Sequence, residues 1–223
     1  MPVLDQAHYY ALRAQEYEKV YHIPEEQPDL TKLYEQFRGT FKDKKVLEIA
    51  CGTGIWTQII AETAHSVLAT DINEPMLHLA RQKNYPRQNV VFENGDMFDL
   101  QVNGPFDALF GGFIWSHVPL EKLENWLARL HDLLAPGSLV VFVDSRFVPG
   151  SSIPVFEVDA HGNHIQKRKL ADGSEHLVLK NFPQQGDFER MLNGRCESFR
   201  VTWLDHFWAL EYVLGKSKTA LLN

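Results

Sequence analysis

Residues 45–57 read KVLEIACGTGIWT, and this stretch decides the fold of the chain. Residues 46–50 are apolar apart from the carboxylate of Glu48, which predicts a short buried strand. Gly52 and Gly54 then predict a tight turn, and the apolar residues that follow recur at helical spacing. A strand, a glycine turn and a helix form the first half of a βαβ unit. Burying a carboxylate without a partner is unfavourable, so Glu48 departs from the apolar pattern of a buried strand and indicates a role beyond packing.

Two common nucleotide-binding motifs do not fit this turn. The dinucleotide fingerprint requires a third glycine where this chain has Thr57. The phosphate-binding loop requires Gly-Lys-Ser/Thr at the start of the helix, but Ile55 and Trp56 follow Gly54. The turn therefore suits a ligand that is not held through its phosphates.

The stretch resembles the first motif of the class I S-adenosylmethionine-dependent methyltransferases, in which a hydrophobic pair and an acid precede alternating glycines. Residues 46–54 follow that motif with Ala50 in place of the first glycine. Alanine still allows a ligand to approach the backbone closely. The resemblance implies that S-adenosylmethionine is the cofactor and that residues of this turn bind it. These residues are Glu48, Ala50, Gly52 and Gly54.

Two further acids follow the next two predicted strands. Asp71 ends the β-rich run 66–70, where one carboxylate can accept both ribose hydroxyls of an adenosine. Asp96 follows the run 90–92, where the resemblance implies an acceptor for the adenine amino group. Each acid alone is compatible with a helix cap or a turn, but three acids at successive strand ends favour a ligand site. The resemblance also implies apolar contacts with the cofactor from Ile72, Met76 and Met97.

The rest of the chain continues to alternate predicted strands and helices. The runs 106–110 and 139–143 predict a fourth and a fifth strand, separated by an amphipathic helix over 120–134 that Pro136 ends. This alternation predicts an α/β fold with a Rossmann-like, mostly parallel seven-stranded sheet and helices on both faces. We expect a single domain made of an N-terminal helical cap (1–38), a cofactor-binding core (39–144), an insertion that covers the substrate (145–182) and a C-terminal helix with antiparallel strands (183–223).

The N-terminal segment predicts a helix over 9–21 with several tyrosines. Similar small-molecule methyltransferases place such a helix over the cofactor as a lid. The resemblance therefore implies that Arg13 and Tyr17 turn toward the cofactor. Simple packing of the aromatic side chains explains the helix equally well.

The insertion after the fifth strand predicts a β-hairpin. Its strands are expected at 163–170 and 175–180, with an Asp-Gly pair in the turn between them. The basic run 167–169 is interpreted as the exposed side of this hairpin. Its histidines are interpreted as solvated, and no metal site is predicted.

Composition limits the partners. The chain has 223 residues, of which 44% are hydrophobic, with a formal net charge of −7 and a pI of about 5.8. This acidic balance argues against a nucleic-acid partner, which requires a basic face. The sequence shows no signal peptide and no apolar run of membrane length, and its two cysteines are isolated. We therefore expect a cytoplasmic protein with no membrane partner.

The segment after the fourth strand is where the resemblance implies that acceptor and methyl group meet. It contains Phe113, expected at the cofactor, and His117, the candidate catalytic residue. Histidine has an unperturbed pKa near neutrality, so a neutral ring there could take a proton from the acceptor. The alternative is that His117 orients the loop or lines the cofactor pocket.

Together these residues predict S-adenosylmethionine-dependent methyl transfer to an O, N or C atom of a small-molecule acceptor. Two alternatives stay open. One is a protein that binds the cofactor without turnover. The other is an aminopropyl transferase-like enzyme, which requires an extra N-terminal β domain and an acid at the end of the fourth strand that this chain lacks. Neither the acceptor's identity nor the oligomeric state follows from the sequence.

Overall fold

The structure is a computed structural model that describes residues 6–215. Within that range it contains ten strands, which are β1 (Lys45–Ile49), β2 (Ser66–Asp71), β3 (Val90–Asn94), β4 (Phe106–Gly112), β5 (Leu134–Ser145), β6 (Val155–Val158), β7 (His164–Lys169), β8 (Glu175–Leu179), β9 (Cys196–Trp203) and β10 (Phe207–Leu214). The α-helices are α1 (Gln6–Arg13), α2 (Gln27–Phe37), α3 (Ile55–Ala61), α4 (Glu74–Arg81), α5 (Leu120–Asp132) and α6 (Gln185–Leu192). Short 3₁₀ segments cover Ala14–His22, Pro24–Glu26 and Trp115–His117.

Seven of the strands form one sheet in the order β3-β2-β1-β4-β5-β10-β9. The first five run parallel, and β10 pairs antiparallel with both β5 and β9. Because the chain leaves β1 for β2 on one side and reaches β4 on the other, the strand order reverses at β1. Ligands of open α/β sheets bind at such a switch point, outside the carboxyl ends of the strands.

Helices cover both faces of this sheet. Leu33 of α2, Ile60 of α3 and Leu77 of α4 belong to one buried cluster. Trp126 of α5 and Phe188 of α6 belong to a second cluster on the other face. The alternating side chains of each strand supply both clusters, as expected for a sheet covered on two sides. The predicted Rossmann-like, mostly parallel seven-stranded sheet is confirmed.

The two added segments pack on each other beside the carboxyl ends of the strands. The insertion forms a separate antiparallel sheet in the order β6-β7-β8. Gln6 of α1 joins the segments, because its side-chain oxygen accepts a hydrogen bond from the Leu179 amide at 2.8 Å. Its side-chain nitrogen donates to the His117 carbonyl at 3.3 Å, which ties the same residue to the loop after β4.

Three local predictions are corrected. The N-terminal helix is α-helical only to Arg13 and continues as a 3₁₀ segment. The insertion has a third strand, β6, beside the predicted hairpin. Pro136 lies inside β5 and does not simply end the preceding helix, because the β4–β5 register shifts there and an irregular stretch tolerates proline. None of the helices within residues 6–215 is long and apolar enough to cross a membrane.

Candidate active site

Two cavities lie at the carboxyl ends of the parallel strands. The strand-end cavity has a volume of about 200 Å³ and lies over residues that follow β1, β2 and β3. The arginine cavity has a volume of about 220 Å³ and is lined by Arg13, Arg146 and Arg168 among others. The two cavities meet, because four side chains line both of them. These are Tyr10, Tyr17, Phe113 and His117.

Most of the residues expected to bind the cofactor line the strand-end cavity. They are Tyr17, Ala50, Gly52, Asp71, Ile72, Met76, Asp96, Met97 and Phe113. Three expected residues do not line it. Arg13 lines the arginine cavity, and Glu48 and Gly54 line neither of the two.

Asp71 anchors the glycine turn to the end of β2. One carboxylate oxygen accepts a hydrogen bond from the Gly52 amide at 2.8 Å, and the other accepts from the Asn73 amide at 2.8 Å. Burial raises the pKa of Asp71 above its ordinary value, while these two N–H groups oppose the rise. A carboxylate oxygen can accept more than one hydrogen bond. The carboxylate is therefore held in a fixed orientation with acceptor capacity left for a ligand.

The turn after β1 adopts left-handed backbone at three positions. Gly52 and Gly54 have φ angles of 55° and 81°, which glycine adopts without strain. Ala50 has a φ angle of 49°, so the residue that replaces the motif's first glycine keeps a conformation that favours glycine. Gly54 has a packing role, because a Cβ atom there would lie 2.6 Å from the Tyr85 hydroxyl and 3.1 Å from Ala80.

Glu48 is buried in β1, with 1% of its surface exposed. Burial raises the pKa of Glu48 to about 8, although the Thr57 hydroxyl opposes this rise. Its Oε2 atom has no hydrogen-bond partner within the described part of the chain. The carboxyl group is therefore largely protonated at neutral pH and lies beneath the turn, outside the cavity.

Asp96 and Met97 close the far side of the strand-end cavity. The Asp96 side chain is exposed, and one of its oxygens accepts a hydrogen bond from the Phe98 amide at 2.9 Å. The neighbouring Met97 is half-buried and supplies an apolar surface. An acceptor next to an apolar surface is the combination that an aromatic base requires.

His117 stands where the two cavities meet, and its hydrogen bonds fix its protonation. Its Nδ1 atom lies 2.6 Å from the Leu179 carbonyl, which can only accept, so Nδ1 carries the ring proton. Its Nε2 atom lies 2.8 Å from the Tyr10 hydroxyl and accepts from it. Burial lowers the pKa of His117 to about 3, and the positive charges of Lys180 and Arg168 add to the effect. The ring is therefore neutral at pH 7, and its burial among cations makes it a weaker base than a free histidine.

The loop that carries His117 is fixed by hydrogen bonds to two neighbouring segments. The buried Asp144 carboxylate accepts from the Ser116 amide at 2.9 Å and pairs with the Lys180 ammonium at 2.7 Å. Although burial alone would raise the pKa of Asp144, the charge of Lys180 holds it below its ordinary value. The Asn181 amide donates to the Ser116 carbonyl at 2.8 Å. Both sides of the loop are thus bound to the end of β5 and to the segment after β8.

The site contains residues that the sequence did not reveal, and Arg168 is the most instructive. Side chains alternate across a strand, so Lys167 and Lys169 are exposed while Arg168 turns toward the arginine cavity. The interpretation of 167–169 as one exposed basic face is therefore wrong at its middle position. The period of two within the predicted strand was the available signal. Tyr10 was missed for a different reason, because nothing in a tyrosine-rich helix identifies which ring faces a cavity.

Comparisons with known proteins agree with this geometry. A profile described as a methyltransferase domain matches residues 46–137. A demethylmenaquinone methyltransferase of Staphylococcus aureus (strain MRSA252) is 30% identical over 181 residues, which are 72% of this chain and 73% of the relative. An uncharacterized methyltransferase of Anoxybacillus flavithermus (strain DSM 21510 / WK1) is 26% identical over 206 residues, which are 90% of this chain and 93% of the relative.

Solved structures give the same result. DhpI in complex with SAH has a TM-score of 0.79 and 27% identity, and the match covers 95% of this chain and 96% of DhpI. DhpI in complex with SAM and HEP has the same TM-score and identity, with coverage of 95% and 98%. Together with the sheet order and the acids at the strand ends, these matches show that the chain belongs to the class I S-adenosylmethionine-dependent methyltransferases, with S-adenosylmethionine as its cofactor.

Proposed function

We propose that this methyltransferase acts on a small-molecule acceptor that binds in the arginine cavity, next to the cofactor in the strand-end cavity. The observation that carries the proposal is the shared lining of the two cavities. Because Tyr10, Tyr17, Phe113 and His117 line both spaces, two bound molecules would meet at these side chains. A volume of about 220 Å³ admits a compact small molecule.

The groups that line the strand-end cavity suit the cofactor. Asp71 offers acceptor oxygens for the ribose hydroxyls, and Asp96 beside Met97 offers the combination that adenine needs. A Cβ atom at Gly52 would lie 3.4 Å from the Tyr17 ring, so glycine keeps the space between turn and lid open. When bound, S-adenosylmethionine supplies a methyl group whose bond to sulfur breaks, the electron pair staying on sulfur, as an acceptor lone pair bonds to the carbon.

The chain itself contributes positioning and the exclusion of water. The N-terminal segment supplies Tyr10 and Tyr17 to both cavities, and Gln6 fastens its first helix to β8. Holding two reactants in one orientation converts a bimolecular step into an effectively unimolecular one. A cover of this kind also keeps water from the reacting atoms.

His117 provides a route for a proton that the acceptor loses. A proton released to the Tyr10 oxygen can be matched by transfer of the Tyr10 proton to Nε2 of His117, since these atoms lie 2.8 Å apart. The pKa of about 3 keeps Nε2 free of a proton at neutral pH, and it also makes the ring a weak base. The route therefore suits an acceptor that gives up its proton readily.

Two alternatives fit the geometry less well. An aminopropyl transferase requires an acid at the end of the fourth strand, and β4 ends in Gly111-Gly112 followed by Phe113. A protein that binds the cofactor without turnover has no use for a second cavity adjoining the first. The arginine cavity therefore favours an enzyme with an acceptor.

An acceptor screen tests the proposal. Metabolites that co-purify with the protein are identified by mass spectrometry, and an acceptor library is assayed for S-adenosylhomocysteine formation. The library includes demethylmenaquinone, the acceptor in the name of the Staphylococcus aureus relative. We expect turnover with a small molecule, and tight binding of S-adenosylhomocysteine without turnover on any acceptor would support the non-catalytic alternative.

A further inference from the structure

The arginine cavity concentrates positive charge in an acidic protein. Arg13, Arg146, Arg168 and Lys180 line it, against a single carboxylate from Glu26. The chain as a whole carries a formal net charge of −7. Lys180 has its own partner in Asp144 behind the cavity. The cavity therefore departs from the rest of the molecule in the sign of its charge.

The three arginines lack carboxylate partners. Within residues 6–215, none of them forms an ion pair with Asp or Glu, whereas five other arginines do. Arg13 and Arg168 are half-buried, and their guanidinium carbons lie 6.0 and 5.9 Å from the centre of the Tyr9 ring. Even partial burial of like charges without a counter-ion is unfavourable, so the arrangement favours a compensating anion.

Arg168 is held in one orientation. Its Nε and Nη2 atoms donate to Oε1 of Gln166 at 3.2 and 2.8 Å, and its Nη1 atom donates to the Tyr10 hydroxyl at 3.2 Å. Gln166 is itself buried and donates to the Ile153 carbonyl at 2.6 Å. An arginine has five N–H groups, so these three bonds leave one on each terminal nitrogen, where the Tyr9 hydroxyl is also within reach. Such a pair matches two oxygens of a carboxylate or a phosphate-type group.

We propose that the acceptor carries an anionic oxygen group, either a carboxylate or a phosphorus oxyanion, that binds in the arginine cavity to Arg168, with Arg13 and Lys180 completing its positive surroundings. This inference rests on the proposed function, because it assigns a substrate class to the same site. Tyr10 joins the two parts of the site, since its hydroxyl accepts from Arg168 and donates to His117. An anion on Arg168 would thereby be held next to the point where the cavities meet.

A competing assignment gives these cations to the carboxylate of the cofactor's amino-acid part. The strand-end cavity contains no lysine or arginine among its described lining residues. Arg13 could reach the junction from the other side, since its guanidinium carbon lies 5.9 Å from the centre of the Tyr17 ring. Arg168 is fixed by Gln166 and Tyr10 and lines only the arginine cavity, so Arg168 is the residue that separates the two assignments.

Calorimetry on the full chain saturated with S-adenosylhomocysteine tests the inference. The probes are inorganic phosphate, methylphosphonate and acetate, with acetamide as the neutral match for acetate. The variants are R168Q and, as a control, K169Q, which removes the same charge from the exposed face of the same strand. We expect R168Q to bind at least one anion about tenfold more weakly, K169Q to change each affinity by no more than about twofold, and acetamide to bind to none of the three proteins.

Each outcome assigns the site. Tighter binding of phosphate and methylphosphonate than of acetate would identify a phosphorus oxyanion, and the reverse a carboxylate. Equal binding of every probe by wild type and R168Q would overturn the inference. A loss of S-adenosylhomocysteine affinity in R168Q would also overturn it, since the guanidinium would then serve the cofactor. If R168Q fails to fold, R168K keeps the charge without the fork, and weaker binding of the same probe is again expected. Failure of the proposed function has its own signature, which is wild-type protein that binds anions but turns over no acceptor.

Discussion

The strand-end cavity and the arginine cavity adjoin each other, but different parts of the chain build them. The strand-end cavity is made by residues that follow three neighbouring parallel strands, and acids and bare backbone dominate its polar lining. The arginine cavity is enclosed by the N-terminal segment and the insertion after β5, and cations dominate its polar lining. One cavity is thus a product of the sheet, and the other is a product of what was added to the sheet.

The two cavities show two ways in which this fold forms a binding site. A binding site at the strand ends follows from the topology, because every parallel strand delivers its last residue to the same edge. A site between added segments depends on long-range packing, such as the hydrogen bond that the Leu179 amide donates to the Gln6 side chain. Changes to the two cavities should therefore have separable effects on cofactor affinity and on acceptor chemistry. Substitutions at the junction, in the strand-end cavity and beneath the turn test that separation.

The largest effect is expected at the junction. We predict that His117→Ala lowers kcat by roughly 10²- to 10⁴-fold, with S-adenosylhomocysteine affinity within about threefold of wild type, because the ring serves the acceptor's proton. Since the pKa of His117 is about 3, its titration should produce no acidic limb in the wild-type kcat profile near neutral pH. Steady-state kinetics with the acceptor from the screen and calorimetry with S-adenosylhomocysteine provide the two readouts.

His131→Ala is the matched control for that experiment. His131 is also a histidine with a pKa lowered by burial, to about 4, and it also bonds to a tyrosine hydroxyl, that of Tyr212 at 2.6 Å. It lines neither of the two cavities, so its loss should affect stability and leave kcat nearly unchanged. Near-normal kcat in His117→Ala would exclude the proton-acceptor role of this ring.

The next effect is expected in the strand-end cavity. Asp71→Ala should weaken S-adenosylhomocysteine binding by about 1.5–3 kcal/mol, the usual contribution of hydrogen bonds to a charged group. Anion binding in the arginine cavity should not change, which sharpens the separation between the cavities. Asp107→Ala is the control. The Asp107 carboxylate also accepts a hydrogen bond from a backbone amide, that of Lys45 at 2.9 Å, but Asp107 lines neither cavity. A folded Asp71→Ala protein with wild-type affinity would contradict the assignment.

The same division explains what the sequence could predict. The strand-end acids Asp71 and Asp96 follow apolar runs directly, so a local pattern was enough to place them at one edge. Local patterns also predicted α5 and the hairpin strands to within a few residues. They do not distinguish Glu48 and Gly54, which belong to the motif but do not line the cavity, because a motif does not state which of its residues packs and which binds.

The arginine cavity was beyond local reasoning. Its lining comes from segments separated by more than a hundred positions, as the contact between Tyr10 and Arg168 illustrates. Arg168 looked like one member of a basic run, and only its alternation with Lys167 and Lys169 distinguished it. The low pKa of His117 was also unpredictable, because it results from burial against Lys180 and Arg168. Tertiary packing, which no short pattern encodes, determines all of these features.

A smaller effect is expected beneath the turn and concerns stability. The pKa of Glu48 is about 8 in the folded protein, above its ordinary value of 4.5, so the folded state binds a proton that the unfolded state releases. The contribution of the protonated Glu48 to the free energy of unfolding is fully present below pH 4.5 and is lost as the pH rises toward 8. Glutamine does not titrate, so the stability of Glu48→Gln relative to wild type should rise with pH, by at most about 1.4 kcal/mol per pH unit. Urea unfolding of both proteins at about pH 5, 6 and 7 measures the trend.

Two comparisons separate the effect of Glu48 on stability from the effects of other titratable groups. The pKa of His117 is lowered in the folded protein, so the stability that the neutral ring contributes is lost as the pH falls below 6.5, the ordinary pKa of histidine. Both proteins contain His117, so this opposite trend cancels when their stabilities are compared. Glu93→Gln removes the charge of an exposed glutamate on β3 and is the matched control. A difference between Glu48→Gln and wild type that stays flat with pH would mean that Glu48 is ionised in the folded protein.

The smallest effect is expected at Ala50, in the floor of the strand-end cavity. Its φ angle of 49° costs a non-glycine residue about 1–2 kcal/mol, and glycine in turn loses about 0.4–1 kcal/mol through the greater freedom of the unfolded chain. Ala50→Gly should therefore raise the stability by about 0.5–1 kcal/mol, a rise in Tm of about 1–4 °C for a chain of this size. Cofactor affinity should stay within about twofold, because only a methyl group is lost. Ala61→Gly, at the end of α3, should lower Tm by a similar amount, since a helical alanine has no strain to relieve. A lower Tm in Ala50→Gly would show that the Ala50 methyl packs favourably enough to outweigh the strain, and that the motif's departure from glycine stabilises this turn.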